Sequence, residues 1–142
     1  MKRIFLMVLT VSGFAQTAKA DTIDYWHVYY NKIKIGEFTH YGRPHKITLK
    51  LDSLHYGDSI TVIYSRDTPC AGCTTHLTVE DGKHHLFLSG EGKGTRNTLA
   101  FSIDKLIDLR NQGYKEYYQI FYFEEPIRSR SDKIMLFRIK IE

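Results

Sequence analysis

The sequence predicts an all-β, mostly antiparallel domain: a two-sheet β-sandwich, Ig-like or jelly-roll in topology, with about nine strands and one short helix near residues 103–112. Three observations lead there. Apolar and polar side chains alternate over many short segments, as in strands with one buried face. Turn residues punctuate those segments throughout. No repeat, linker or low-complexity tract divides the chain, and its length suits one core. An antiparallel barrel is the alternative closure of the same strands.

The first twenty residues, "MKRIFLMVLTVSGFAQTAKA", stand apart. Lys2 and Arg3 precede an apolar run at residues 4–11, and Ala18-Lys19-Ala20 has the small-x-small pattern of a cleavage site. The run is far shorter than the roughly 20 residues that cross a bilayer. The reading is a cleaved signal peptide at 1–20, a single domain at 21–142, a periplasmic or secreted location, and no transmembrane segment after cleavage. The chain carries a formal charge of +4. Lys2, Arg3 and Lys19 account for most of it, so about +1 remains in the mature part, which does not support a nucleic-acid partner.

The strands follow in order. "DYWHVYYNKIKIGEF" reads as a hairpin turning at Asn31-Lys32, where Asn tolerates positive φ. Pairing outward sets Tyr30 against Ile33 and Val28 against Ile35, giving Trp26, Val28, Tyr30, Ile33 and Ile35 as the core face and leaving Tyr25, His27, Tyr29 and Lys34 outward. "KITLKL" buries Ile47, Leu49 and Leu51; "SITVIYS" buries Ile60, Val62 and Tyr64. "TTHLTVEDGKHHLFLS" reads as a hairpin on Asp81-Gly82, pairing Val79 with His84, Leu77 with Leu86 and His76 with Phe87, with Leu77, Val79, Leu86 and Leu88 buried. "GEGKG" breaks the pattern as a loop, and "TLAFSI" resumes it with Leu99, Phe101 and Ile103.

"FSIDKLIDLRNQG" is the helix. Ser102 can cap the first turn, Asp104 suits the positive end of the dipole, and Gly113 suits the residue past the end. "EYYQIFYF" is apolar or aromatic on both faces, as in a strand covered on both sides. "DKIMLFRIKIE" places Met135, Phe137, Ile139 and Ile141 on one side. Pro126 and the basic residues Arg128, Arg130 and Lys133 read as a solvated loop between these last two strands.

Both cysteines lie in "DTPCAGCTTH", which admits three readings. A redox CxxC needs a helix N-terminus to lower the thiolate pKa, and the alternating "TTHLTVE" that follows is not helical. A Cys2His2 metal site could draw on Cys70, Cys73, His76 and His85, since the hairpin pairing sets the two histidines diagonally on one face. Thiolates in an oxidising compartment pair first, however. The favoured reading is a structural disulfide, Cys70 to Cys73, pinning the loop that leads into the next strand.

No other motif carries chemistry. "SGEGKGT" lacks phosphate-loop spacing, and neither a nucleophile elbow nor a zinc-protease motif occurs. Glu124 and Glu125 are adjacent and point apart on an extended chain. No catalytic residue and no cofactor are implied, and the chain leans away from being an enzyme. It resembles small exported bacterial β-sandwich proteins in its leader and strand pattern alone, a likeness that transfers no functional residue. Aromatics make up 13% of the chain, and Tyr25, Tyr29, Tyr118 and Tyr122 are the candidate ligand-binding rings. The expected function is a non-catalytic module that binds a carbohydrate or an envelope protein through surface aromatics. A metal- or thiol-dependent activity at the CxxC and nearby histidines is the alternative, and an enzyme with a loop-built site, marked by a deep polar cleft, is a third.

Overall fold

A computed structural model describes residues 23–42, 44–125 and 132–142. The expected signal peptide, and Pro126, Arg128 and Arg130 of the expected loop, lie outside the described residues. Among those described, the chain forms nine strands and one α-helix: β1 (Tyr25–Tyr30), β2 (Ile33–Thr39), β3 (Lys46–Leu49), β4 (Ser59–Ser65), β5 (Thr74–Glu80), β6 (Leu86–Lys93), β7 (Thr98–Ser102), α1 (Asp104–Asn111), β8 (Tyr118–Glu124) and β9 (Ile134–Ile141). A four-stranded sheet, β2-β1-β4-β7, packs on a five-stranded sheet, β3-β9-β8-β5-β6. All pairs are antiparallel except β3 with β9, which run parallel. Among the described residues, no helix is long and apolar enough to cross a membrane.

The core forms where the inward faces meet. Trp26, Val28, Ile60, Val62 and Leu99 of one sheet face Leu77, Val79, Ile120, Phe137 and Ile139 of the other, and excluding this apolar surface from water drives the two layers together. An aromatic stack links them: Trp26 lies 6.3 Å from Tyr64, and Tyr64 4.2 Å from Tyr122 in the opposite sheet. Leu106 and Ile107 of α1 add to the core. Ser102 Oγ accepts from the Asp104 N–H, one residue earlier than a standard cap, because Ile103 occupies the cap position with its side chain fully buried. The helix ends as expected: Gly113 has φ +96°, Gly113 N–H donates to Arg110 O and Tyr114 N–H to Leu109 O, the paired closure of a Schellman turn.

Three bulges correct the expected registers. The first hairpin turns at Asn31-Lys32, both at positive φ. Tyr30 pairs with Ile33, but Val28 pairs with Gly36, so Ile35 is an extra residue. Ile35 is therefore 38% exposed rather than core, and Ile33, in the expected register but at the start of an edge strand, is 68% exposed. The shift turns Phe38 inward, where it meets Trp26, His45 and Phe137. In the second hairpin the loop is Gly82-Lys83-His84, closed by Asp81 N–H to His85 O, with His84 at φ +65°. The Asp81 carboxylate fixes it by accepting the Lys83 and His85 amides. Val79 then pairs with Leu88 and His76 with Glu91, Phe87 is the bulged residue, and Leu86 is 59% exposed instead of buried. On β9 the extra residue is Leu136, fully buried, and the core side runs Leu136, Phe137, Ile139, Ile141 without Met135.

All but the last residue of the expected loop "GEGKG" is instead the second half of β6, and Gly94 opens the turn that follows. Its glycines are there because the two sheets converge at this edge. A Cβ on Gly90 would lie 2.8 Å from the Ala100 carbonyl oxygen, and one on Gly92 2.7 Å from Leu99 Cδ2. Gly90→Ala therefore has to push backbone apart and is expected to cost about 1–3 kcal/mol, whereas Ile33→Thr on the open edge should stay within about 0.5 kcal/mol. Urea denaturation of both variants checks the pair; a Gly90→Ala protein as stable as the parent would contradict the close approach.

Candidate functional site

The Cys70 and Cys73 sulfurs stand at disulfide distance with Cα atoms 5.9 Å apart. β5 begins at Thr74, immediately after Cys73, so no helix dipole acts on either sulfur. The ring seats against the β6–β7 turn: Thr95 N–H donates to Cys70 O, Gly94 N–H to Cys73 O, and Cys70 N–H to Thr95 Oγ1. Thr95 passes this on by donating to Glu124 Oε1, which Tyr122 Oη also reaches at 2.9 Å, while Arg66 pairs with the other carboxylate oxygen at 2.7 Å. Burial, then the bond to Glu124, pushes the Tyr122 hydroxyl well above the usual tyrosine range. A depression of about 330 Å³ opens here, lined by Tyr64, Arg66, Tyr122 and Glu124 among others. Its polar groups are largely committed to one another, and Arg66 Nε is the one left unpaired.

The four residues considered for a metal are not brought together. His76 sits on the outer face of the five-stranded sheet, stacked on Phe123 at 4.6 Å, with Glu125 2.9 Å from Nε2 and Glu91 3.6 Å from Nδ1. His85 lies beyond the opposite end of β5, its Nδ1 2.8 Å from Asp81. Among the described residues no group of three or more His, Cys, Asp and Glu side chains could hold a metal ion. The same outer face buries Glu80, bonded to Thr78 at 3.0 Å, Lys133 at 2.9 Å and His84 at 3.1 Å. Lys133, expected in a solvated loop, lies over the Phe123 ring. Burial pushes the Glu80 carboxyl up, but the hydrogen bonds from Lys133, Thr78 and His84 outweigh it and hold the group below the usual glutamate range.

The candidate aromatics divide. Tyr25 is 41% exposed and Tyr29 half-buried; with His27 between them they form a row of rings along the outer face of β1, spaced 5.6 and 6.4 Å. Tyr118 and Tyr122 are 1% and 2% exposed and belong to the core. Their outward expectation is corrected by the β8 register: Tyr118, Ile120 and Tyr122 face inward, and Phe121 and Phe123 take the outer face. Tyr118 Oη is consumed by the Leu106 carbonyl of α1 at 3.1 Å.

A residue set that the sequence did not single out builds the better site. A cleft of about 560 Å³ lies where the β5–β6 turn approaches the connection from α1 to β8. Asp81, Gly82, Lys83 and His85 come from the turn, Tyr114, Glu116 and Tyr117 from the connection, and Gln119 and Arg138 from neighbouring positions on β8 and β9. The bulged Phe87 supports one wall, its ring edge-on to Tyr114 at 5.7 Å and to Tyr118 at 5.9 Å, while Tyr114 stacks on Tyr118 at 4.9 Å. Tyr114 Oη and Arg138 Nε are buried without a protein partner. Burial, then the Asp81 and Glu116 charges, pushes the Tyr114 hydroxyl up, so it stays a proton donor at neutral pH. Tyr117 presents a half-buried ring. Only the Asp81-Gly82 turn signal hinted at this place. No protein-family model and no curated protein matches the chain, so the chemistry of the cleft is argued from its own residues.

Two outcomes follow. Cys70→Ser should lower the melting temperature by a few degrees without unfolding the domain, since so small a ring is worth about 2 kcal/mol; calorimetry against the parent checks it. Glu80 has a depressed folded pKa, so its contribution is complete above the unfolded value near 4.5 and is lost as pH falls through the lower, folded one. Glu80→Gln should therefore be less stable than the parent at pH 7 and show a shallower loss of stability below pH 4.5 in urea melts at stepped pH; parallel curves would refute the pairing.

Proposed function

We propose that the mature chain is an exported, non-catalytic binding module that holds a glycan in the cleft between the β5–β6 turn and the α1–β8 connection. The observation that carries this is the gathering, in one concave site, of aromatic and polar side chains: Tyr114 and Tyr117 with His85, Glu116, Gln119 and Arg138. Rings and polar side chains gathered in one concavity are the usual lining of a small-ligand site.

The ligand must offer an apolar face to a ring and several hydroxyls to mixed donors and acceptors. A pyranose does both: its C–H face packs on an aromatic plane, and its hydroxyls can meet Gln119, Arg138, His85 and the cleft carboxylates. A volume of about 560 Å³ accommodates a short saccharide. The Tyr25–His27–Tyr29 row on the opposite sheet runs along a single strand with its rings inclined 49° and 76° to one another, a poorer platform for one small ligand.

An array of neutral and charged oligosaccharides, followed by titration calorimetry on the best binder, tests the reading. Tyr117→Ala should weaken binding at least tenfold with the melting temperature little changed, the loss expected of one stacking ring. The double variant Tyr25→Ala/Tyr29→Ala should bind as the parent does. The opposite pattern would move the site to β1, and an array without any binder would remove the glycan reading.

A further inference from the structure

We infer that the sugar held in this cleft is acidic, a uronate whose carboxylate is received by Arg138 with Lys46 and Lys140 beside Tyr117. The inference rests on the glycan reading and specifies its ligand class. It begins with the parallel pairing of the last strand. In the β3–β9 ladder Lys46 stands opposite Arg138, and Thr48 opposite Lys140. Arg138 and Lys140 alternate with the core residues Phe137, Ile139 and Ile141, so both point to the outer face, as Lys46 does beside the buried Ile47. Strands lie about 4.8 Å apart and same-face residues about 6.6 Å apart along a strand, so three cations are gathered within a patch about one sugar unit wide.

Tyr117 lies beneath two of these cations. Lys46 Nζ is 5.5 Å and Lys140 Nζ 5.7 Å from its ring centroid, and the same ring lines the cleft with Arg138 and Gln119. A pyranose resting on Tyr117 would thus carry any ring carboxylate into contact with fixed positive charge. Arg138 is suited to receive it. It lines the cleft, and a guanidinium fork matches the two oxygens of a carboxylate.

The acids nearby are set apart from this patch. Asp81 keeps its charge, but it belongs to the β5–β6 turn, off the β3–β9 ladder, and its two oxygens accept the Lys83 amide, the His85 amide and the His85 imidazole. Glu142 holds Lys140 at 3.0 Å, but in an exposed pair whose partners can exchange. Glu116 lines the cleft from the connection, off the β3–β9 ladder, and is the one carboxylate left to face the sugar's hydroxyls.

The test compares uronate oligosaccharides with their methyl esters, which keep the backbone and hydroxyls but lose the charge. The parent protein should bind a uronate oligomer at least tenfold more tightly than its ester, with affinity falling as salt rises. Arg138→Gln should erase most of that preference while binding of the ester persists. Lys46→Gln/Lys140→Gln, two exposed or half-exposed positions, provides the same readout should Arg138→Gln fold poorly. Equal binding of acid and ester overturns the inference and leaves the glycan reading standing. A short single-stranded oligonucleotide bound as tightly as the uronate also overturns it, since the patch would then be a general polyanion field. If no saccharide binds, both readings fall together.

Discussion

The structure depends on the strict alternation of four of its five inner strands, β1, β4, β5 and β8, whose inward residues meet across the layer boundary through the Trp26–Tyr64–Tyr122 stack. Those strands carry no extra residue. The bulges fall on their neighbours, at Ile35 of β2, Phe87 of β6 and Leu136 of β9. Side-chain direction in a strand has period two, so one extra residue reverses everything beyond it. Here each reversal delivers a ring or a branched chain where the packing needs one. Phe38 reaches Trp26 and Phe137, Leu136 fills the core, and Phe87 braces Tyr114 and Tyr118.

This explains how far the sequence could be read. Strands, helix, the two-sheet architecture and the faces of Ile60, Val62, Tyr64, Leu99 and Phe101 are legible, because alternation and turn chemistry are local properties. The bulges are not, since each answers to a partner strand remote in the chain. That is why Ile35 and Leu86 read as core. Ile33, Tyr118 and Tyr122 carry no extra residue, and what covers them, solvent at the edge strand or the opposite sheet, is set by segments remote in the chain. The glycines of β6 looked like a loop for the same reason: their cause is the carbonyl of Ala100 and the side chain of Leu99, which no local pattern announces. The cleft draws on four segments, and only its Asp81-Gly82 turn left a signal.

The outer face of the five-stranded sheet shows a second economy. A strand face carrying His76, Thr78 and Glu80 reads as hydrated, yet all three are buried. Phe121 and Phe123 supply the apolar bed, and Lys133, His84, Glu91 and Glu125 supply countercharges. Burying such groups is tolerable because each charge has a bonded partner. The neighbouring cleft gathers its charges differently, on a turn, a connection and two strands.

That contrast has an evolutionary consequence. Gln119, Arg138 and Lys46 occupy strand positions whose side chains project away from the interior, and the other walls come from a turn and a connection. Substitutions at these sites leave the stacked layers undisturbed. A lineage built on this scaffold can therefore retune what it grips, swapping charge or ring size one position at a time, without endangering the ability of its members to fold.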